Sequence, residues 1–169
     1  MGLSGFSMQG QWQISFSKLK EVVDKAAEQA RLAVQHTLLG ALSPTLSDLK
    51  LHACHVLNII VGKGSADYDP SCSDPGDGFG LMNYSKEIQK LIADPEYRER
   101  ERWSWPAENY VIWLGVVITL LKKVRETADV NEARQAMRQV LAFLKATQGC
   151  KDDPATEGGL RTLQARLGG

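Results

Sequence analysis

The sequence predicts an all-α fold, a four-helix bundle with a long Asp/Gly-rich loop and short extra helices. Apolar and small residues recur at helical spacing over several long segments, and no segment shows the alternation expected of a strand. Proline and glycine interrupt these segments where helices usually stop. The 169 residues are 43% hydrophobic and 24% charged, a composition typical of a globular protein that buries a real core.

The first two helices are predicted to form an antiparallel hairpin. Helical periodicity at about residues 14–42 places small and apolar residues along one narrow seam. The seam consists of Leu19, Val22, Ala26, Ala30, Ala33, Thr37 and Gly40. Ser43-Pro44 ends this helix, because proline lacks a backbone donor and disfavours helix in the residue before it.

A second helix is predicted to follow at once, because Thr45 and Asp48 have the spacing of a capping box. It should reach about Val61 and end at Gly62-Lys63-Gly64. Its predicted core stripe is Leu49, Ala53, Val56 and Ile60.

The rest of the chain predicts two more long helices and two short ones. A short helix is expected at about residues 84–93, where Asp94-Pro95 breaks it. A long helix should begin at Pro106, and another should follow the cap Asp129 to about residue 147. We predict a bundle domain at residues 1–149, with residues 150–169 as a linker and a short C-terminal helix packing on it.

Charge and hydropathy exclude two classes of partner. Twenty basic and twenty acidic residues give a formal net charge of zero, so nucleic acid is not expected as a partner. The longest apolar run, at residues 110–121, is too short to span a membrane. No secretory signal is evident, which favours the cytoplasm unless a leader has been removed. A protein partner, a homodimer or a small-molecule ligand remains open.

The three cysteines form no C-x-x-C pair and no even framework. Reduced thiols are therefore the expected state. In an extracellular protein Cys72 and Cys150 would be the predicted pair, because both lie in loop-like sequence. Cys54 would then be a buried, inert thiol within the second helix.

The three histidines are candidate metal ligands. His52 and His55 are three residues apart, which places them on one helix face. His36 lies seven residues before Ser43 and His52 seven after Thr45, so the hairpin should bring His36 to the same height. Converging imidazoles suit zinc, iron, copper or nickel. Alternatively, His52, His55 and Asn58 hold the following loop by hydrogen bonds.

That loop, at residues 64–80, is rich in aspartate and glycine. Its carboxylates and bending backbone have the composition of a calcium site, although the spacing is not that of an EF-hand. The candidate ligands are Asp67, Asp69, Asp74 and Asp77. In the alternative interpretation the same aspartates bond their own backbone in a series of turns around two prolines.

This region resembles a pattern in uncharacterised bacterial helical proteins. The shared elements are an H-A-x-H-V-x-N-I-I-x-G helix and a following D-P-G-D-G-F-G-L loop, over about residues 36–84. The resemblance implies that one unit is formed by His52, His55, Asn58, Asp74, Gly76, Asp77 and Gly78. Some of those proteins carry a fuller D-x-D-x-D-G stretch, where this chain has DYDPSCSD.

The aromatic residues near Pro106 offer a third candidate region. Trp103, Trp105, Tyr110 and Trp113 are typical of a closed bundle end or of a ligand pocket. No phosphate loop, dinucleotide fingerprint or nucleophile elbow is present in the sequence.

The leading hypothesis is a non-enzymatic, metal-supported bundle with the His/Asp-rich segment as its functional region. The alternatives are a metal-dependent enzyme using three histidines, and a binding module using the tryptophan cluster.

Overall fold

The computed structural model describes residues 8–93, 100–150 and 158–168, and within them it is all helical, which confirms the predicted fold class. The helices are α1 (Met8–Leu42), α2 (Leu46–Val61), α3 (Leu81–Ile92), α4 (Arg100–Glu126), α5 (Val130–Gln148) and α6 (Leu160–Arg166). The predicted break at Asp94-Pro95 and most of the predicted linker, at residues 151–157, lie outside the described residues.

The two longest helices, α1 and α4, define the architecture. Helices α2 and α3 both pack against α1 and α4, and so do α5 and α6. The fold is therefore a four-helix bundle in which α1 and α4 are each one long helix. Helices α2 and α3 together take the third position, and α5 and α6 together take the fourth. No helix among the described residues is apolar and long enough to cross a membrane.

The predicted seam of α1 is the centre of the core. Leu19, Ala26, Ala30, Ala33 and Thr37 are fully buried, and the predicted stripe of α2 is fully buried as well. Small residues let helices approach closely, and larger side chains from α4 and α5 fill the remaining space. These fully buried side chains are Tyr110, Leu114, Val117, Leu121, Met137, Val140 and Leu144.

Two predicted helix starts were wrong. Helix α3 begins at Leu81 rather than residue 84, because fully buried Leu81 extends its apolar face by one turn. Helix α4 begins at Arg100 and continues through Pro106. A proline inside a helix removes one hydrogen bond, but Trp103 before it and Ala107 after it are both buried in the core. Packing on both sides of the proline offsets that loss.

The predicted helix caps are confirmed. The Thr45 side chain accepts a hydrogen bond from the Asp48 backbone at 3.1 Å, and the Asp129 side chain accepts from the backbone of Asn131 and Glu132. Helix α2 ends at Gly62, whose φ is +75°, a value that L side chains rarely adopt. A Cβ at Gly62 would lie 2.1 Å from the Phe79 carbonyl oxygen, so the end of α2 touches the start of α3.

Replacing Gly62 by alanine is predicted to destabilise the fold by at least about 2 kcal/mol, because it combines positive φ with a backbone clash. The matched control is Gly115→Ala, since a Cβ at Gly115 in α4 would meet no atom within 4 Å. That control should stabilise by about 0.5–1 kcal/mol, as expected for an exposed helix interior. Urea unfolding measures both. Equal effects of the two substitutions would show that the Gly62 contact does not constrain the fold.

Candidate metal centre

The α1–α2 hairpin places two histidines side by side. The turn between the helices spans only residues 43–45, and His36 and His52 lie at the same height on either side of it. Their Nδ1 atoms are 3.3 Å apart. Gly40, one turn after His36, permits this approach, because a Cβ there would lie 3.0 Å from the His52 Cβ. The predicted register of the hairpin is therefore present in the structure.

His55 completes a group of three imidazoles. Its ring centroid lies 5.1 Å from that of His36 and 5.7 Å from that of His52, edge to face in both cases. One ligand nitrogen from each ring lies within 4.8 Å of the other two. Within residues 8–93, 100–150 and 158–168, this is the one group of three His, Cys, Asp or Glu residues close enough to hold a metal ion.

The two ring nitrogens of His55 have different surroundings. Nε2 lies 3.0 Å from the Ser73 hydroxyl oxygen in the Asp/Gly-rich loop. Nδ1 is buried and has no hydrogen-bond partner, and His55 as a whole is only 9% exposed. A buried polar atom that lacks a hydrogen-bond partner destabilises the folded protein by about 1–3 kcal/mol. Ser73 could not be found from sequence patterns, because no local pattern specifies the path of the loop.

Burial and neighbouring rings favour the neutral form of His36 and His55. Burial lowers the pKa of His36, and the neighbouring His55 and His52 lower it further. Burial and His52 also lower the pKa of His55, against an opposing effect of the Asp74 carboxylate. Neutral imidazole is the form that has a free lone pair for a metal.

Asn58, one turn after His55, holds the start of the loop. Its fully buried side chain accepts from the Asp69 backbone N–H at 2.9 Å and donates to the Asp69 carbonyl at 2.8 Å. It also lies 3.3 Å from the sulfur of Cys72. The proposed role of loop holder therefore fits Asn58 and His55, whereas His52 contacts His36 instead.

The cysteine predictions were wrong. Cys54 and Cys72 form a disulfide, and Cys150 is the free thiol. The loop turns back over α2, where Asn58 bonds Asp69. In this path the Cα atoms of Cys54 and Cys72 are 6.3 Å apart, within the range that a disulfide spans. A bridge across a loop of this size contributes about 3 kcal/mol to stability.

The four loop aspartates do not converge on a common point. Asp67 pairs with Lys122 at 2.8 Å, and Asp69 pairs with Arg125. Asp74 accepts from the Gly76 backbone at 3.0 Å, and its second oxygen is buried without a partner. Each aspartate therefore has its own role within the protein.

Asp77 belongs to a different part of the bundle. It accepts from the Phe79 backbone and from the Tyr84 hydroxyl, while its own backbone N–H donates to the buried Gln29 side chain. These bonds join the end of the loop to α1 and α3. This arrangement matches the alternative interpretation, a series of turns held by their own side chains.

The aromatic cluster divides between core and surface. Trp103 and Tyr110 are buried, and the Tyr110 hydroxyl donates to the Leu81 carbonyl at 2.9 Å. Trp105 is 40% exposed, with the Arg166 guanidinium 5.9 Å from its ring centroid. Trp113 lines an open cavity of about 580 Å³ together with the Cys150 loop. The four residues therefore do not line one pocket.

One pair of histidine nitrogens has the separation of two ligands on one metal ion. Two nitrogens bound to one tetrahedral zinc, each at about 2.0–2.1 Å, are separated by about 3.3 Å. The His36 and His52 Nδ1 atoms have this separation. In the absence of an ion, the same two atoms can share one hydrogen as a donor and an acceptor.

Comparisons with known proteins identify no family for this chain. No family model matches the chain, and no curated protein or solved structure is significantly similar to it. The resemblance of residues 36–84 to bacterial helical proteins therefore stays a prediction.

The metal-free protein is predicted to lose stability as the pH falls below 6.5. The unfolded histidines take up protons near 6.5, whereas folded His36 and His55 have lowered pKa values and resist protonation. Their contribution is thus complete above pH 6.5 and declines below it. Urea unfolding with chelator at pH 7.5 and pH 5 measures the decline.

Combining His36→Gln with His55→Gln should reduce that decline. The Asp74 carboxylate, which favours charged His55, remains in both proteins, so the comparison isolates the two imidazoles. An identical loss of stability in the variant and the parent would show that these histidines do not cause the pH dependence.

Proposed function

We propose that this protein binds one transition-metal ion of the zinc class through His36, His52 and His55. The observation that carries the proposal is the convergence of one nitrogen from each ring, all within 4.8 Å, on two helices whose register fixes them. Imidazole ligands suit zinc, copper, nickel and iron, and zinc is the natural first test.

The unpartnered nitrogen of His55 supports an ion over a plain hydrogen-bond network. In the tautomer with its hydrogen on Nε2, His55 donates to Ser73 and keeps a lone pair on buried Nδ1. Metal-bound histidines usually donate their other N–H in this way, which fixes the orientation of the ring. Ser73 is thus proposed as the residue that positions His55 for the metal.

The ion would support the bundle by joining α1 to α2 and both to the loop. His36 comes from α1, His52 and His55 come from α2, and Ser73 comes from the loop. This assignment replaces calcium with a histidine-bound metal as the proposed ion, because among the described residues the histidines converge and the loop aspartates do not. The aspartates then shape the loop that holds Ser73.

A second candidate function, metal-dependent catalysis, is favoured by the number of ligands. Structural zinc sites have four protein ligands, whereas catalytic sites keep one position open for water or substrate. Three histidines converge here, and His36 and His52 are both partly exposed to solvent. An ion bound there would be accessible to small molecules and would acidify a bound water.

Zinc titration of the untagged protein tests the proposal. The parent is Cys150→Ser, which removes the free thiol as a competing ligand. We expect one zinc per chain, bound through nitrogen, with a midpoint of thermal unfolding that rises on binding. His52→Ala should weaken binding by more than about 100-fold, since losing a ligand costs more than losing a supporting residue.

The matched control is Gln35→Ala, which changes the exposed neighbour of His36 on α1 and should bind zinc like the parent. All three histidines of the chain belong to the site, so imidazole NMR signals report on this site alone. Stoichiometric zinc binding that survives His52→Ala would contradict the proposal, and so would no binding by the folded parent.

A further inference from the structure

We infer that the Cys54–Cys72 disulfide is a redox control of the histidine metal site, so that its reduction weakens metal binding. The inference rests on the proposed function, because the regulated property is metal affinity at that site. The controlling group is a disulfide next to the proposed ligands and is not itself a ligand.

The disulfide and the His55–Ser73 hydrogen bond join the same two segments at neighbouring positions. Cys54 directly precedes His55 on α2, and Cys72 directly precedes Ser73 in the loop. The covalent bond therefore fixes the loop one residue away from the hydroxyl that positions His55. Such a constraint limits where the exposed serine can lie relative to the buried ring, and so fixes the direction of their hydrogen bond.

The shorter hydrogen bonds that hold the loop lie further from Ser73, and next to it Asn58 makes only longer contacts with Cys72, 3.5 Å to its carbonyl oxygen and 3.3 Å to its sulfur. Asn58 holds Asp69 by two hydrogen bonds, four residues before Ser73. On the other side, Gln29 accepts from the Asp77 backbone, four residues after it. Between these points the disulfide is the covalent connection to α2, so its loss lets the segment around Ser73 move.

The chemistry is thiol–disulfide exchange with a dithiol reductant. One thiolate of the reductant attacks a sulfur of the bridge and forms a mixed disulfide, and its second thiolate then displaces the protein sulfur. Cys54 and Cys72 leave as thiols carrying two protons, and the reductant leaves as its own disulfide. Both cysteines are buried, 5% and 8% exposed, so exchange requires the loop to open first.

This arrangement makes metal binding strongest under oxidising conditions. Disulfides persist in secreted and periplasmic proteins and are rare in the reducing cytosol. A chain that moves between such environments would hold its ion in one and release it more readily in the other. The cytoplasmic location expected from the sequence would correspond to the weaker-binding state.

The test compares zinc dissociation constants of four variants, all carrying Cys150→Ser. The first keeps the disulfide, the second carries Cys54→Ser with Cys72→Ser, the third carries Ser73→Ala, and the fourth combines these three changes. Loss of a supporting residue typically weakens binding about 10-fold to 100-fold. We expect a loss of about tenfold in the second and third variants, with little further loss in the fourth.

Two results would overturn the inference. One is equal zinc affinity with and without the disulfide, with helicity retained in circular dichroism. The other is independent, multiplicative losses from the disulfide and Ser73, which would separate the bridge from the hydrogen bond. If the double serine variant does not fold, the first variant is reduced with a phosphine, which becomes the phosphine oxide, and is then compared by imidazole NMR without zinc, because the two new thiols would themselves bind zinc.

A metal-free readout separates this inference from the proposed function. Imidazole NMR of the zinc-free protein should show that reduction changes the tautomer balance of His55, while His36 changes less. Unchanged His55 signals on reduction would reject the redox control even if zinc binds. Changed signals with no zinc binding in either state would reject the metal site and leave the disulfide–His55 coupling standing.

Discussion

The close antiparallel register of α1 and α2 is the constraint on which the rest of the site depends. A three-residue turn leaves little freedom for one helix to slide past the other, and Gly40 removes the side chain that would separate them at His52. The Arg134 side chain of α5 donates to the Ser43 carbonyl and ties the turn to the bundle. The 3.3 Å separation of the His36 and His52 nitrogens follows from this packing. The core thus positions these two histidines without any ion.

The third histidine also contacts a different part of the molecule. His55 lies on the same helix as His52, but its Nε2 is 3.0 Å from the Ser73 hydroxyl, which lies in a loop with no regular structure. Asn58, the disulfide and Gln29 hold that loop from α2 and α1. The group therefore combines a pair set by helix packing with a third histidine that also contacts the loop. In the proposed redox control, metal affinity responds to the disulfide through this third histidine.

The helices could be predicted because local rules and packing agree there. The seam of α1, the stripe of α2 and the caps Thr45 and Asp129 follow from periodicity and from polar side chains at helix starts. Even the height of His36 followed from counting residues away from the turn. Where packing overrode a local rule, as at Pro106, the prediction failed.

The loop could not be predicted because its path depends on contacts between residues far apart in the chain. The Cys54–Cys72 pair forms where the loop folds back over α2 and Asn58 bonds Asp69, and nothing local marks Cys72 as the partner over Cys150. The partners of the loop aspartates also come from distant parts of the chain. The number of aspartates suggested a calcium site, whereas Lys122, Arg125 and Tyr84 each bond a different one of them.

X-ray absorption at the zinc edge of the loaded Cys150→Ser protein tests the central claim most directly, because it counts the ligands and measures their distances. The account predicts three imidazole nitrogens at about 2.0–2.1 Å with one or two solvent oxygens, and no sulfur at about 2.3 Å. Fewer than three imidazoles, a sulfur ligand, or a shell made of oxygens alone would contradict it.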